Sequence, residues 1–350
     1  MNPFAVAAFT VERRTIRLKT PFITALGRKD STENVLVGVR LRSGVEGWGE
    51  ASGSVVNARL RPTMLAAALR RMAASCRGRD ARALAALTRA TRAAGRTVLP
   101  AAAALECALT DAVRRSLGLG WAAWFGGAKA RVETDLTLSA APPAETAAAA
   151  QRAAAEGFRV LKVKVGTGYA ADLARAEAAD AAGRRGGRRP ALILDGNQRL
   201  GRAGAVRLSE ACLRRGLRAV LVEQPVPAAD LGGLAWVSRR CPVPVAADES
   251  VQGPEDAVRV LAAGAAAVVN VKVAKMGLIG AVETVAAARA AGAGLMIGCM
   301  QESALGLSPS VGLALGTGAF GFVDLDSDWL LEADQPAGDF TRAGPWLSAA

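Results

Sequence analysis

The sequence predicts an α/β protein: a TIM-type (β/α) barrel preceded by a smaller N-terminal α+β domain. Three observations predict it. From about residue 131, eight apolar strand-like runs begin roughly 24 to 31 residues apart. Ala-rich amphipathic segments fill the spaces between them. The first third, by contrast, reads as strands and then helices in blocks.

In order along the chain, residues 4–20 and 34–42 read as extended. ENVLVGVRLR alternates apolar and polar at period two, as a strand with one covered face does. GVEGWGEAS is a glycine-punctuated turn into a further short strand. Helices are expected over 63–77, 81–93 and 100–117, the last opened by Pro100 and stopped by Gly118–Gly120. The later strands are expected to start near Glu133, Val160, Ala191, Ala219, Val243, Ala267, Gly294 and Phe322. Their helices fall near 144–156, 170–182, 203–215, 229–238, 254–263, 278–291 and 303–316. Eight such units match a barrel. An open doubly wound sheet would need a Gly-rich phosphate turn after its first strand, and none is present.

Composition narrows the chemistry. The 350 residues include no histidine, which excludes Ser-His-Asp and Cys-His hydrolases, His-ligated metals and imidazole acid–base catalysis. The formal net charge is +13, yet most of the basic residues are arginines scattered in ones and twos, densest at Arg184, Arg185, Arg188 and Arg189 in a Gly-rich link. Aromatics make up only 4%, leaving few platforms for stacking bases, so no nucleic-acid partner is expected. Five cysteines without a CxxC pair suit reduced thiols in a cytoplasmic protein. The uncharged run 303–323 is interrupted by five glycines and Pro309, so buried structure is expected there and no membrane span.

Polar residues fall at the ends of the barrel strands, where a barrel keeps its site. VLKVKVG puts Lys162 and Lys164 on one strand face. LILDGN contributes Asp195 and Asn197, LVEQP Glu223, VAADES Asp248 and Glu249, and VVNVKVAK Asn270 and Lys272. Only seven lysines occur, and four of them lie in two of these segments. Arginine cannot give up its proton in a protein, whereas a buried lysine can, so their retention suggests a titratable amine. One carboxylate at a strand end could be a helix cap. Three inward carboxylates on successive strand ends would repel one another without a cation. Their oxygen-only ligand set fits a hard metal, Mg²⁺ first and Mn²⁺ as the alternative.

The order KxK, Asp, Glu, Asp-Glu, Lys, together with GWGEAS near the N-terminus, resembles the enolase superfamily, specifically its muconate-lactonising subgroup. That subgroup includes cycloisomerases, o-succinylbenzoate synthases, N-acylamino acid racemases and dipeptide epimerases. The resemblance implies an enolase-type modified barrel over 121–329, and a capping domain over 1–120 closed by the C-terminal segment 330–350. It implies that Asp195, Glu223 and Asp248 bind Mg²⁺. Lys164 and Lys272 would face each other across a substrate α-carbon, with Lys162 holding down the pKa of Lys164 and Asn197, Glu249 and Asn270 in support. Lys or His bases working beside Mg²⁺ are the known pattern of this superfamily, so that pairing comes with the resemblance and not from the spacing.

FGFVDLDSDW ends the last strand with Asp324 and Asp326 on one face. Alone, a DxD at a strand end reads as a turn or cap. In this setting it resembles the pair with which dipeptide epimerases bind a dipeptide ammonium group, and Cys299, Met300 and Glu302 of GCMQES resemble that group as well. By the same likeness Thr24 and Arg28 of PFITALGRKD would reach the substrate from the cap. The expected activity is a Mg²⁺-dependent, two-base epimerisation at the α-carbon of the C-terminal residue of a dipeptide, an isomerase reaction. The alternatives are another enzyme of the subgroup or a non-catalytic basic binding protein. Barrels of this kind often assemble through their outer helices, so a homo-oligomer is compatible with the sequence but not required by it.

Overall fold

The alternation in ENVLVGVRLR belongs to the middle strand of an antiparallel sheet. A computed structural model describes residues 2–53, 60–94, 98–185, 187 and 189–350. Strands β1 (Val6–Thr24), β2 (Gly27–Leu41) and β3 (Glu46–Ala51) pair in that order, and β1 and β2 form one long hairpin. Helices α1 (Pro62–Ser75), α2 (Leu84–Ala94) and α3 (Leu99–Ser116) cover its apolar face, burying Val35, Val37, Leu65, Leu69, Leu105 and Leu109. The glycines of GWGEA serve close packing: a Cβ on Gly49 would lie 2.0 Å from the Ala104 carbonyl oxygen of α3. Residues 54–59, which follow this motif in the sequence, and Arg188 lie outside the described residues.

The single turn α4 (Trp121–Trp124) leads to β4 (Arg131–Glu133) and the barrel. Eight parallel strands follow: β5 (Leu136–Leu138), β6 (Val160–Lys164), β7 (Ala191–Asp195), β8 (Ala219–Glu223), β9 (Val245–Ala247), β10 (Val268–Val271), β11 (Gly294–Gly298) and β12 (Phe322–Asp324). Helices α5 (Pro143–Ala155), α6 (Tyr169–Arg185), α7 (Arg202–Arg214), α8 (Leu231–Ser238), α9 (Pro254–Ala262), α10 (Val273–Ala290) and α11 (Ala304–Thr317) connect them. The sheet nearly closes on itself. Asp135 N–H donates to the Val323 carbonyl (2.9 Å) and Leu325 N–H to Thr134 Oγ1 (2.8 Å) across the seam between β5 and β12. Helix α10 starts five residues earlier than its sequence pattern suggests, because Gly277 (φ 71°) kinks a first turn into the main helix.

After α12 (Ser327–Leu330) the C-terminal segment divides. Leu331 bridges to Leu18 of β1, and Asp339 pairs with Arg114 of α3. Then β13 (Phe340–Ala343) and β14 (Trp346–Ala349) extend β4 into a three-stranded antiparallel sheet. A polar knot also ties the N-terminal sheet to the barrel. Glu50, the acid of GWGEA, accepts from Asn34 Nδ2 (2.6 Å), Ser303 N–H (2.9 Å) and Ser303 Oγ, while Asn34 also donates to the Gln301 carbonyl. Among the described residues, no helix is long and apolar enough to cross a membrane.

Candidate active site

Period two builds the site directly on the barrel floor. Ile193, Leu221, Ala246, Val268 and Met296, with Val160 and Phe322 packed against them, form an apolar cluster separate from the strand-to-helix core. Two residues further along each strand, on the same face, come Asp195, Glu223, Asp248, Asn270, Gly298, Lys162 and Asp324. Strand register levels them: Lys164 pairs with Asp195, and Asp195 with Glu223. Strands β6 and β10 stand four apart in an eight-stranded sheet, so Lys164 and Lys272 approach from opposite sides, with the three carboxylates on the strands between. Both lysines line a cavity of about 460 Å³, together with Asn197, Asp248, Glu249 and Met300.

The contacts are ionic and short. Lys164 Nζ donates to Asp195 Oδ2 (2.6 Å) and Lys272 Nζ to Asp248 Oδ2 (2.7 Å). Lys162 Nζ lies 2.6 Å from Asp324, 2.8 Å from Glu223 and 3.3 Å from Asp195. Asn270 Nδ2 donates to Glu223 Oε1 (2.8 Å), and Asn197 N–H to Asp195 Oδ1 (3.0 Å). Glu249 accepts from Gln198 (3.3 Å). Backbone strain collects here: Asn197, Gln198 and Gln224 have positive φ at the ends of β7 and β8. Gly298 leaves room for the Lys272 side chain, since a Cβ there would meet Lys272 Cε at 2.7 Å.

Burial and neighbouring charge set the titrations. Burial, then the Asp195 charge, push Glu223 up to about 7; burial and Asp248 push Glu249 up to about 8. For Asp195 burial is the largest single influence and acts upward, but Lys164 and Lys162 outweigh it and hold the carboxyl at about 2. Lys272 is lowered by burial, yet Asp248 and further carboxylates raise it above its ordinary value. Lys272 is therefore not lowered, as a base would require, while Asp248 pairs with it.

The DxD pair sits deeper than a barrel mouth. Asp324 is fixed on Lys162, and Asp326 accepts from Thr137 N–H (2.6 Å), with the Cys299 thiol 3.8 Å away. Burial and then Asp324 push Asp326 up to about 6. Asp324, Asp326 and Cys299 offer ligand atoms within 4.8 Å of one another. Burial raises the Cys299 thiol well above its ordinary value, and Lys162 already supplies a positive partner, so this cluster suits an ammonium group better than a metal. Glu302 is buried beneath the cavity wall and accepts from Met300 N–H (2.6 Å). In the cap, Thr24 lines the main cavity, whereas Arg28 pairs with Asp30 (3.0 Å) and borders a second cavity of about 500 Å³ beside α5.

Three participants were not singled out in the sequence. Lys275 donates to Asp248 Oδ1 and to the Asp248 carbonyl, both at 2.6 Å, and its place among the few lysines was the available signal. Gln224 Oε1 accepts from Asp248 N–H and Ser250 N–H, fixing the loop that carries Asp248. Phe22 of the β1–β2 hairpin covers Lys164, its ring centroid 5.7 Å from Nζ.

The residues fit a hard cation. Glu223 Oε2, Asn197 Oδ1, Asn270 Oδ1 and Glu249 Oε2 are buried without a hydrogen bond, although Glu223 Oε2 lies within ion-pair distance of Lys162. Around them the buried carboxyl groups of Asp195, Glu223, Asp248, Asp324 and Asp326, with that of half-buried Glu249, outnumber lysines 162, 164, 272 and 275. Three of these carboxyl groups are pushed up to between about 6 and about 8, a strain that a further cation would relieve, and all-oxygen donors select Mg²⁺ or Mn²⁺.

Known proteins share this plan. Residues 5–126 match the mandelate racemase / muconate lactonizing enzyme N-terminal domain, and residues 145–344 match the enolase C-terminal domain-like family. An aromatic dipeptide epimerase of Herpetosiphon aurantiacus is 35% identical over 99% of this chain and 97% of its own length. An L-Ala-D/L-Glu epimerase of Thermotoga maritima is 37% identical, over 93% of each chain. A crystal structure of a dipeptide epimerase from Enterococcus faecalis, complexed with Mg and L-Leu-L-Tyr, superposes with a TM-score of 0.91 at 28% identity, covering 99% of this chain and 97% of that one. With both halves matched in order and relatives alike along nearly their whole length, the chain belongs to the enolase superfamily.

Proposed function

We propose that the protein is a Mg²⁺-dependent dipeptide epimerase that inverts the α-carbon of the C-terminal residue by proton transfer between two lysines. The observation that carries this reading is the placement of Lys164 and Lys272 on opposite barrel strands, each within 2.7 Å of a different candidate metal ligand. The relatives named as dipeptide epimerases support the substrate class.

Asp195, Glu223 and Asp248 would hold the metal, which when bound supplies positive charge to a substrate carboxylate and so acidifies the adjacent α-proton. With Asp248 engaged as a ligand, Lys272 would lose the pairing that now raises it. The neutral lysine on one face removes the α-proton, leaving a planar enediolate. The opposite lysine, as an ammonium, returns a proton to the other face. The centre is inverted and the two lysines have exchanged protonation states. Asp324 and Asp326 would take the dipeptide ammonium, and a muconate dianion would be repelled by them. Asn197, Glu249 and Asn270 would steady the ligands from behind.

The cap side of the main cavity, as described, is formed by Phe22, Thr24, Ser52, Leu60, Leu99 and Pro100, without a charged side chain. That wall favours a dipeptide with an apolar side chain. The reading takes 1–120 as capping domain, 121–329 as catalytic barrel and 330–350 as the closing segment. The five free thiols suit a cytoplasmic enzyme. The test is a dipeptide panel incubated with enzyme and Mg²⁺ in deuterated water. Exchange at the C-terminal α-carbon, followed by appearance of the second epimer, is expected. Turnover of a muconate or an N-acyl amino acid with no exchange on any dipeptide would refute it.

A further inference from the structure

Two anionic clusters meet at one ammonium. Lys162 Nζ lies 2.6 Å from Asp324, on the acid cluster of β12, and 2.8 Å and 3.3 Å from Glu223 and Asp195, on the candidate metal cluster. Its side chain is 2% exposed, so water cannot stand in for either partner. Asp135, 1% exposed, lies beside Asp324, and burial followed by the Asp324 charge pushes its carboxyl well above the usual carboxylate range. An ammonium resting on Glu223 and Asp195 competes with a divalent cation for the same oxygens. An ammonium drawn toward Asp324 does not.

We propose that Lys162 is a positioning residue shared as counter-ion by both clusters, and that Asp324 strengthens metal binding by drawing Lys162 off Glu223 and Asp195. This goes beyond the role of Asp324 toward a dipeptide ammonium and rests on the metal assignment made above. The coupling exists with no dipeptide present. It is reciprocal: a metal on Asp195 and Glu223 displaces Lys162 toward Asp324. Asp326 serves as the internal control. It carries the same charge on the same strand end, but its hydrogen bonds go to Thr137 N–H and Cys299, not to Lys162.

The experiment is Mn²⁺ titration of substrate-free enzyme by calorimetry, with free Mn²⁺ followed by electron paramagnetic resonance and folding checked by thermal melts. Asp324→Asn is expected to weaken Mn²⁺ binding about tenfold, and Asp326→Asn no more than about threefold. Lys162→Gln should bind Mn²⁺ more tightly than wild type, and adding Asp324→Asn to it should then cost no more than Asp326→Asn does. Asp324→Ser gives the same reading if the asparagine variant does not fold. Equal shifts for the two aspartates, or a full Asp324 effect that persists without Lys162, would overturn the proposal and leave a general charge effect. A wild type that binds no Mn²⁺ would remove the metal assignment and this inference with it. Wild-type binding with an unchanged Asp324→Asn variant would remove the inference alone.

Discussion

The barrel wall of the cavity and its cap wall are built on different principles. The barrel wall carries lysines and carboxylates on strand ends, held at fixed height by parallel register and by hydrogen bonds such as Asn270 to Glu223. The cap wall is mostly apolar and comes from a hairpin, a loop and the start of α3. Charged groups that must meet within a few tenths of an ångström sit on the stiff element, and the surface that meets a side chain sits on the adaptable one. The difference separates what the site does from what it accepts.

The largest effect tests the barrel wall as a whole. Chelation with EDTA should abolish epimerisation, and Mg²⁺ or Mn²⁺ should restore it, as followed by chiral chromatography of the dipeptide. Loss of metal should also lower the melting temperature, because a ligand bound only by the native state stabilises it. Next comes Gly298→Ala, whose methyl would collide with Lys272. A displaced base predicts a loss in kcat of about a hundredfold with the fold retained. An unchanged kcat would show that Lys272 does not need its present position.

A smaller effect belongs to the cap. Leu99→Arg should shift relative kcat/KM from apolar toward acidic dipeptides by about tenfold, while exchange on a good substrate continues. If this substitution stopped exchange altogether, the division between the two walls would fail. The smallest effect concerns stability. Burial, opposed in part by the Met300 hydrogen bond, lifts Glu302 from 4.5 to about 8. Between those values the native state holds a proton that the unfolded chain releases, so this group's stabilisation is full at low pH and is lost as pH rises toward 8. Glu302→Gln removes the loss, and its melting temperature should gain on wild type by about 3 °C between pH 5 and pH 8. A gap that is flat with pH would show Glu302 ionised or solvated in the fold.

Strand ends were legible because two periodicities constrain them together. A face repeats every two residues and a βα unit every two dozen or so, which leaves few placements for Asp195, Glu223, Asp248 and Lys272. What a side chain touches was less legible. Lys162 meets Asp324, 162 residues away, only because the sheet curls round toward its own edge. Lys275 reaches Asp248 from the first turn of α10, and that turn was hidden by the kink at Gly277. Asp135 stands in an ordinary strand-like run, where nothing local marks a buried carboxyl beside Asp324. The hairpin of β13 and β14 is short and pairs with β4, some 200 residues earlier, beyond the range of local pattern. Absent histidine, by contrast, was decisive from the start: every proton the reaction moves can be carried by lysine.

The central claim is that each lysine serves one face of the α-carbon. Its most direct test is α-proton exchange in deuterated water with Lys164→Ala and Lys272→Ala, each given the two epimers of one dipeptide separately. The account predicts that each variant exchanges one epimer only, the opposite one in the two variants, and that neither interconverts them. Interconversion by either variant, or exchange of both epimers by one, would contradict it.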